Sequence, residues 1–142
     1  MWRVIKFRMR YLSQFFSDLE IKELSRQINP SKNTSLSLLP LNSKGERFPV
    51  NNSNLEPILG PRPVSDSLYL HALFEGLAKI ELKGWEKLGE LTGSLPKKII
   101  TIGGGSKNPQ CRKIREKIIN IPIVSCKKTS SFGTALLAIN SK

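Results

Sequence analysis

Apolar residues follow two different periods along this chain, and the change falls near residue 97. Between residues 66 and 91, Leu70, Leu73, Phe74, Leu77, Ile80, Leu88 and Leu91 recur at spacings of three, four and seven. That is the spacing of one face of an α-helix, with Glu75, Lys79, Lys83, Glu86, Lys87 and Glu90 mostly opposite. Ser65-Asp66 offers an N-cap, Gly93 a stop, and Glu75 to Lys79 a favourable surface pair four residues apart. Gly76, Gly84 and Gly89 each weaken such a helix by ~1 kcal/mol relative to alanine, so close packing against a neighbour is the expected reason for them. A first helix is predicted over 12–28 from Leu12, Phe15, Phe16, Leu19, Leu24 and Ile28, with its firmest part at 18–24, and Asn29-Pro30 ends it. From residue 97 the pattern reads as strand 99–102, helix 109–119 burying Ile114 and Ile118, strand 121–126, polar turn 127–131 and helix 133–139. That order predicts a parallel strand pair with a right-handed crossover.

Residues 30–63 follow neither period. Six of the nine prolines fall there, together with Asn42, Gly45, Asn51, Asn52, Asn54 and Gly60, so regular structure is not expected. Phe48, Val50, Leu55, Ile58 and Leu59 are nevertheless spaced through it, which favours an ordered loop packed on the core over a linker.

A length of 142 residues suits one domain with a core. The net charge of +12 invites a nucleic-acid reading, but the basic residues are scattered and suit solvated faces. A basic nucleic-acid-binding or structural module is therefore the competing reading, and it lacks the aromatic interleaving such modules show. Cys111, Cys126 and the single His71 lack the spacing of a zinc site. The chain has no apolar run of the ~20 residues a membrane span needs, and it reads as cytoplasmic. His71 is expected as a helix-face residue rather than a catalytic base, and Phe74 and Trp85 as packing residues rather than an adenine stack. Cys111, close to a helix start, is a candidate for a lowered pKa.

Residues 99–109, Ile-Ile-Thr-Ile-Gly-Gly-Gly-Ser-Lys-Asn-Pro, carry the chemistry. Glycines between a strand and a helix start let backbone N–H groups approach a phosphate, with the helix dipole behind them. The P-loop pattern fails because Asn108 follows Lys107, and the dinucleotide fingerprint fails because Asn108 is not glycine. Asn108 suits the N-cap, with Pro109 at the first helical position. Three consecutive glycines exceed what a turn alone requires, so ligand contact is the preferred reading.

Set on this frame, the sequence resembles the end of an FGGY-family carbohydrate kinase, within the superfamily of sugar kinases, actin and Hsp70-type ATPases. The matching runs are Leu68-Tyr69-Leu70-His71-Ala72-Leu73-Phe74-Glu75-Gly76-Leu77-Ala78, Ile100 to Asn108, and Ser131-Phe132-Gly133-Thr134-Ala135-Leu136-Leu137-Ala138. Pro40-Leu41, Gly45-Glu46-Arg47-Phe48-Pro49 and Pro61-Arg62-Pro63 resemble the pentulose-kinase branch of cyanobacteria and plants, the xylulokinase- and ribulokinase-like one. The resemblance implies an α/β fold, part of an actin-like, ribonuclease H-like ATPase domain with a short parallel sheet and packed helices. It divides the chain into an unmatched basic segment at 1–11, a helix and Pro/Asn-rich loop region at 12–64, and a nucleotide-binding half-domain at 65–142. It implies that Gly104 and Asn108 contact ATP, that Gly103, Gly105 and Ser106 shape the approach, and that Mg arrives with the nucleotide. Gly133 would bring the last helix close to the pocket. Family members phosphorylate a sugar hydroxyl using an aspartate base, and neither Asp18 nor Asp66 sits in a matching motif. The expectation is a fragment inactive alone, marginally stable, prone to self-association or paired with an N-terminal kinase partner, and taking a pentulose only with that half supplied.

Overall fold

The computed structural model describes residues 9–45, 51–103 and 106–126. Its axis is helix α2, Asp66–Thr92. Ser65, in extended backbone geometry, accepts the Leu68 N–H on its hydroxyl, and Gly93 closes the helix at φ 76°. The helix is less one-sided than its apolar stripe predicts. Every residue from Tyr69 to Ala78 is buried, including Glu75, whereas Leu91 at the far end is 81% exposed. The first half is enclosed because helix α1 (Asp18–Ser25), the proline-rich loop and helix α3 (Pro109–Ile119) all pack on it, so polar residues there need internal partners. Glu75 is therefore not the surface partner of Lys79. Its carboxylate accepts the Thr34 N–H at 3.0 Å and the Thr34 hydroxyl at 2.5 Å.

The single helix expected over 12–28 is two elements. A 3-10 helix, Met9–Gln14, precedes α1, Asp18–Ser25. The break comes from a capping box at Ser17. Its hydroxyl accepts from Glu20 N–H, while the Glu20 carboxylate accepts the Ser17 N–H at 2.7 Å. Tyr11, Leu12, Phe15 and Phe16 pack inward just before that start, Phe15 meeting the Tyr69 ring edge-on at 5.7 Å.

The described part of the proline-rich segment is packed, but of the apolar residues expected to hold it Leu59 packs on the core, Ile58 is 50% exposed, and Phe48 and Val50 lie outside the described residues. Leu39 and Ile58 form an antiparallel bridge, Leu39 N–H donating to Ile58 O at 2.8 Å and Ile58 N–H to Leu39 O at 3.0 Å. Leu38 and Leu41 are buried beside it. The segment is fastened to α2 by Arg62, whose guanidinium lies 4.7 Å from the Tyr69 ring centre and donates to Asp66 Oδ1 at 2.8 Å.

Strand β1, Ile99–Thr101, helix α3, Pro109–Ile119, and strand β2, Ile123–Ser125, complete the described fold. β1 and β2 pair in parallel, Ile99 with Ile123 and Thr101 with Ser125, as the strand–helix–strand order predicts. Both strands are shorter than 99–102 and 121–126. α3 ends at Asn120, which takes a left-handed φ of 58°. Ile114 is buried in the main cluster with Cys111, Leu73 and Phe74, while Ile118 is only partly buried and Ile119 joins Trp85, Ile99, Ile121 and Ile123 in a second cluster. Ile99, Thr101 and Ile123 are buried on one face of the sheet, whereas the register partners Ile100 and Val124 are 44% and 42% exposed. The turn 127–131 and the helix 133–139 lie outside the described residues. No described helix is long and apolar enough to cross a membrane.

Candidate nucleotide-facing site

The β1–α3 connection carries the glycine turn. Gly103 has φ +77°, a conformation that an L side chain adopts only with strain. Its carbonyl accepts both the Ser106 N–H at 3.1 Å and the Ser106 hydroxyl at 2.6 Å, which folds the two described ends of the turn together. Gly104 and Gly105 lie outside the described residues. Lys107 is exposed at the edge of the turn.

Asn108 caps α3 as predicted. Its Oδ1 accepts the Cys111 N–H at 3.0 Å. Its Nδ2 also donates to Ser25 Oγ at 2.7 Å, and that hydroxyl in turn donates to Ile21 O at 2.5 Å. One side-chain amide thus joins the start of α3 to the end of α1 and keeps one N–H of the amide for another acceptor. Asn108→Ala is expected to cost about 1–2 kcal/mol through the lost cap. Asn108→Asp keeps the cap but faces a second acceptor toward a hydroxyl whose proton is already committed to Ile21. It should fall between wild type and alanine in urea denaturation, and an aspartate as stable as asparagine would show that the Ser25 link contributes nothing.

Residues 91–115 contain no Asp or Glu, so the turn brings the exposed Lys107 ammonium and no carboxylate, while the Ser106 N–H and hydroxyl are already taken by the Gly103 carbonyl. That donor set fits an anion. It does not fit a resident metal, and among the described residues no cluster of three His, Cys, Asp or Glu could hold one.

Behind the turn lies a buried polar network that charge patterning alone does not reveal. Arg115 of α3 grips Glu81 of α2 through two contacts, Nε to Oε2 at 2.8 Å and Nη2 to Oε1 at 2.9 Å. Its Nη1 donates to Thr101 Oγ1 at the end of β1 at 3.0 Å. The Trp85 indole donates to Glu81 Oε1 at 3.2 Å. The arginine and glutamate side chains are 2% and 3% exposed. A signal was present. Arg115 sits four residues after Cys111 and four before Ile119, on the inward face of α3, and Glu81 sits four after Leu77 on α2.

Cys111 does not have the lowered pKa that its position near a helix start suggests. It is fully buried, and desolvation pushes the thiol up to about 12, with Arg115 lowering it and Glu81 raising it by less. Phe74 and Trp85 are core residues, as expected.

His71 is buried within α2, its Nε2 without a hydrogen-bond partner and 3.5 Å from Glu75 Oε1. Burial lowers its pKa below 6.5, Glu75 pulls it back up, and Lys117 lowers it. The stability this provides is full above the unfolded pKa near 6.5. It is lost as pH falls toward the lower folded value, because only the unfolded chain takes up the proton in that interval. His71 is the single histidine, so the slope is assignable. Melting temperature should fall from pH 7.5 to pH 5 more steeply in wild type than in His71→Gln. Parallel curves would show that His71 is not the group responsible.

A parallel strand pair bridged by a capped helix, packed on further helices, is an α/β unit. The family model of the C-terminal domain of the FGGY family of carbohydrate kinases matches residues 12–141. The chain belongs to that family. The match spans α1, the proline-rich loop, α2 and the β1–α3–β2 unit, and so places all of them within a carbohydrate-kinase C-terminal domain.

Proposed function

We propose that this chain supplies the ATP-binding wall of a pentulose kinase, as the second half of an actin-like fold. Gly103, Gly104, Gly105 and Ser106, with Asn108, form the segment assigned to the nucleotide. One observation carries the reading: a positive-φ glycine at the end of a parallel strand leads into a capped helix start, across a stretch free of carboxylates. Such a segment favours phosphate oxygens on two counts, the helix start behind it and a sequence stretch without carboxylates. Magnesium arrives with ATP, and the cytoplasm is the compartment where that ATP is drawn.

Phosphoryl transfer rests on positioning and charge neutralisation by both walls of a cleft, plus a group that receives the hydroxyl proton. The chain's two aspartates are both spent on helix starts, Asp18 in the first turn of α1 and Asp66 paired with Arg62. The sugar site and the base therefore come from an N-terminal kinase portion, and this chain alone is inactive.

Calorimetric titration of the full chain with Mg-ATP tests the reading. Saturable binding is expected, and Gly103→Val should abolish it by forbidding the φ of +77°. Absence of binding by the folded chain would defeat the proposal. Sugar phosphate formed from D-ribulose or D-xylulose by the chain alone would overturn its inactivity.

A further inference from the structure

The glycine turn is gripped from both sides, and the two grips differ in kind. On the helix side, Asn108 ties the start of α3 to Ser25 of α1. On the strand side the grip comes from within α3 itself. Arg115, two turns along the helix, reaches back to the hydroxyl of Thr101, the last residue of β1. Only Ile102 separates Thr101 from Gly103. The Thr101 carbonyl meanwhile accepts the Cys126 N–H at 2.9 Å, so its backbone is held by the sheet and its side chain by α3.

The guanidinium cannot choose another rotamer cheaply. Two of its nitrogens are engaged by one carboxylate in fork geometry, and that carboxylate is held again by the Trp85 indole. Glu81 and Trp85 belong to α2, the most enclosed helix, so the network refers the strand end to a rigid element. A simple apolar contact would stabilise the same layer without fixing the distance from β1 to α3. A hydrogen-bonded fork fixes it to a few tenths of an ångström.

We infer that Arg115, oriented by Glu81, is a positioning residue for the turn. It sets the gap between the carboxyl end of β1 and the amino end of α3, which the 103–108 segment connects. The inference rests on the nucleotide reading for its functional consequence, but its structural content stands apart from it.

Two variants of the full chain test it. In the double variant Arg115→Met with Glu81→Leu, apolar groups replace the ion pair, a change that often leaves stability unaltered. Thr101→Val removes only the hydroxyl. Three quantities are read: melting temperature, ATP affinity, and amide hydrogen exchange at Gly103, Ser106, Lys107 and Asn108 compared with the centre of α2. The expected result is a folded protein with a near-native melting temperature, ATP binding weakened about tenfold, and turn amides exchanging about tenfold faster while α2 is unchanged. Should the double variant fail to fold, Thr101→Val decides by the same readouts. Unchanged turn exchange in a folded variant overturns the proposal, and so does faster exchange with unaltered ATP affinity. If wild type binds no ATP, the nucleotide reading fails, and turn exchange alone then decides whether Arg115 positions the segment.

Discussion

Arg115→Ala is expected to remove a large share of the stability of the fold. The guanidinium and the Glu81 carboxylate are almost wholly excluded from water, joined by two hydrogen bonds of 2.8 and 2.9 Å. Removing one member of such a pair leaves the other charge buried, a loss of about 3–5 kcal/mol, against a total stability of roughly 5–15 kcal/mol for a domain. Glu81 would retain the Trp85 indole, one neutral donor, in place of the cation. Thr101 would lose the Arg115 donor at the same time. Arg115→Lys should be nearly as harmful, since one ammonium cannot span both carboxylate oxygens and the threonine hydroxyl together. The check is urea denaturation followed by circular dichroism. A midpoint for Arg115→Ala close to wild type would mean that the pair is solvated in solution. The contrast with the apolar double replacement matters, because the pair is costly to break yet not necessarily better than two hydrocarbons.

Local signals were legible where one residue type answers one geometric demand. Pro109 after Asn108 placed the start of α3, Gly93 the end of α2, and the strand–helix–strand order the parallel pairing. Those features follow from backbone chemistry within a few residues. The break at Ser17 was also local, and its capping box was overridden by the apolar period running from Leu12 to Ile28. What periodicity could not give was the surroundings of α2. A helix enclosed on several sides shows a stripe only where its neighbours are absent, so Leu91 looked like core and Glu75 like surface. The true environment of Glu75 depends on Thr34, 41 residues away in sequence, and that of Leu91 on the lack of a neighbour among the described residues at the far end of α2. The polar network behind the turn had the same obstacle. Arg115 and Glu81 each stood at an inward position of their own helix, but nothing in one chain pairs two such positions 34 residues apart.

Gly76 should tolerate no side chain, and the reason explains the Glu75-Gly76 pair on α2. A Cβ built there would lie 2.7 Å from Pro40 Cδ and 2.9 Å from the Leu38 carbonyl oxygen. Neither is the loose end of a flexible chain; one is a ring and the other backbone held beside the Leu39–Ile58 bridge. Glu75, one residue earlier, accepts both donors of Thr34. The two residues therefore dock one stretch of the proline-rich loop, the carboxylate fastening residue 34 and the missing Cβ admitting residues 38–40. Alanine would gain about 1 kcal/mol of helix propensity and lose about 1–3 kcal/mol to overpacking. The collision with fixed groups puts Gly76→Ala on the destabilising side, and Gly76→Leu should displace the loop outright at about 3 kcal/mol or more. Gly89 is the internal control. Its Cβ would meet Leu95 Cδ2 at 2.9 Å, the end of a mobile and half-exposed side chain. Leu95 can rotate away, so Gly89→Ala should be neutral or stabilising by up to about 1 kcal/mol. Thermal melts of the two alanine variants should move in opposite directions from wild type. A Gly76→Ala protein as stable as Gly89→Ala would mean that the loop does not lie against α2 at residues 38–40.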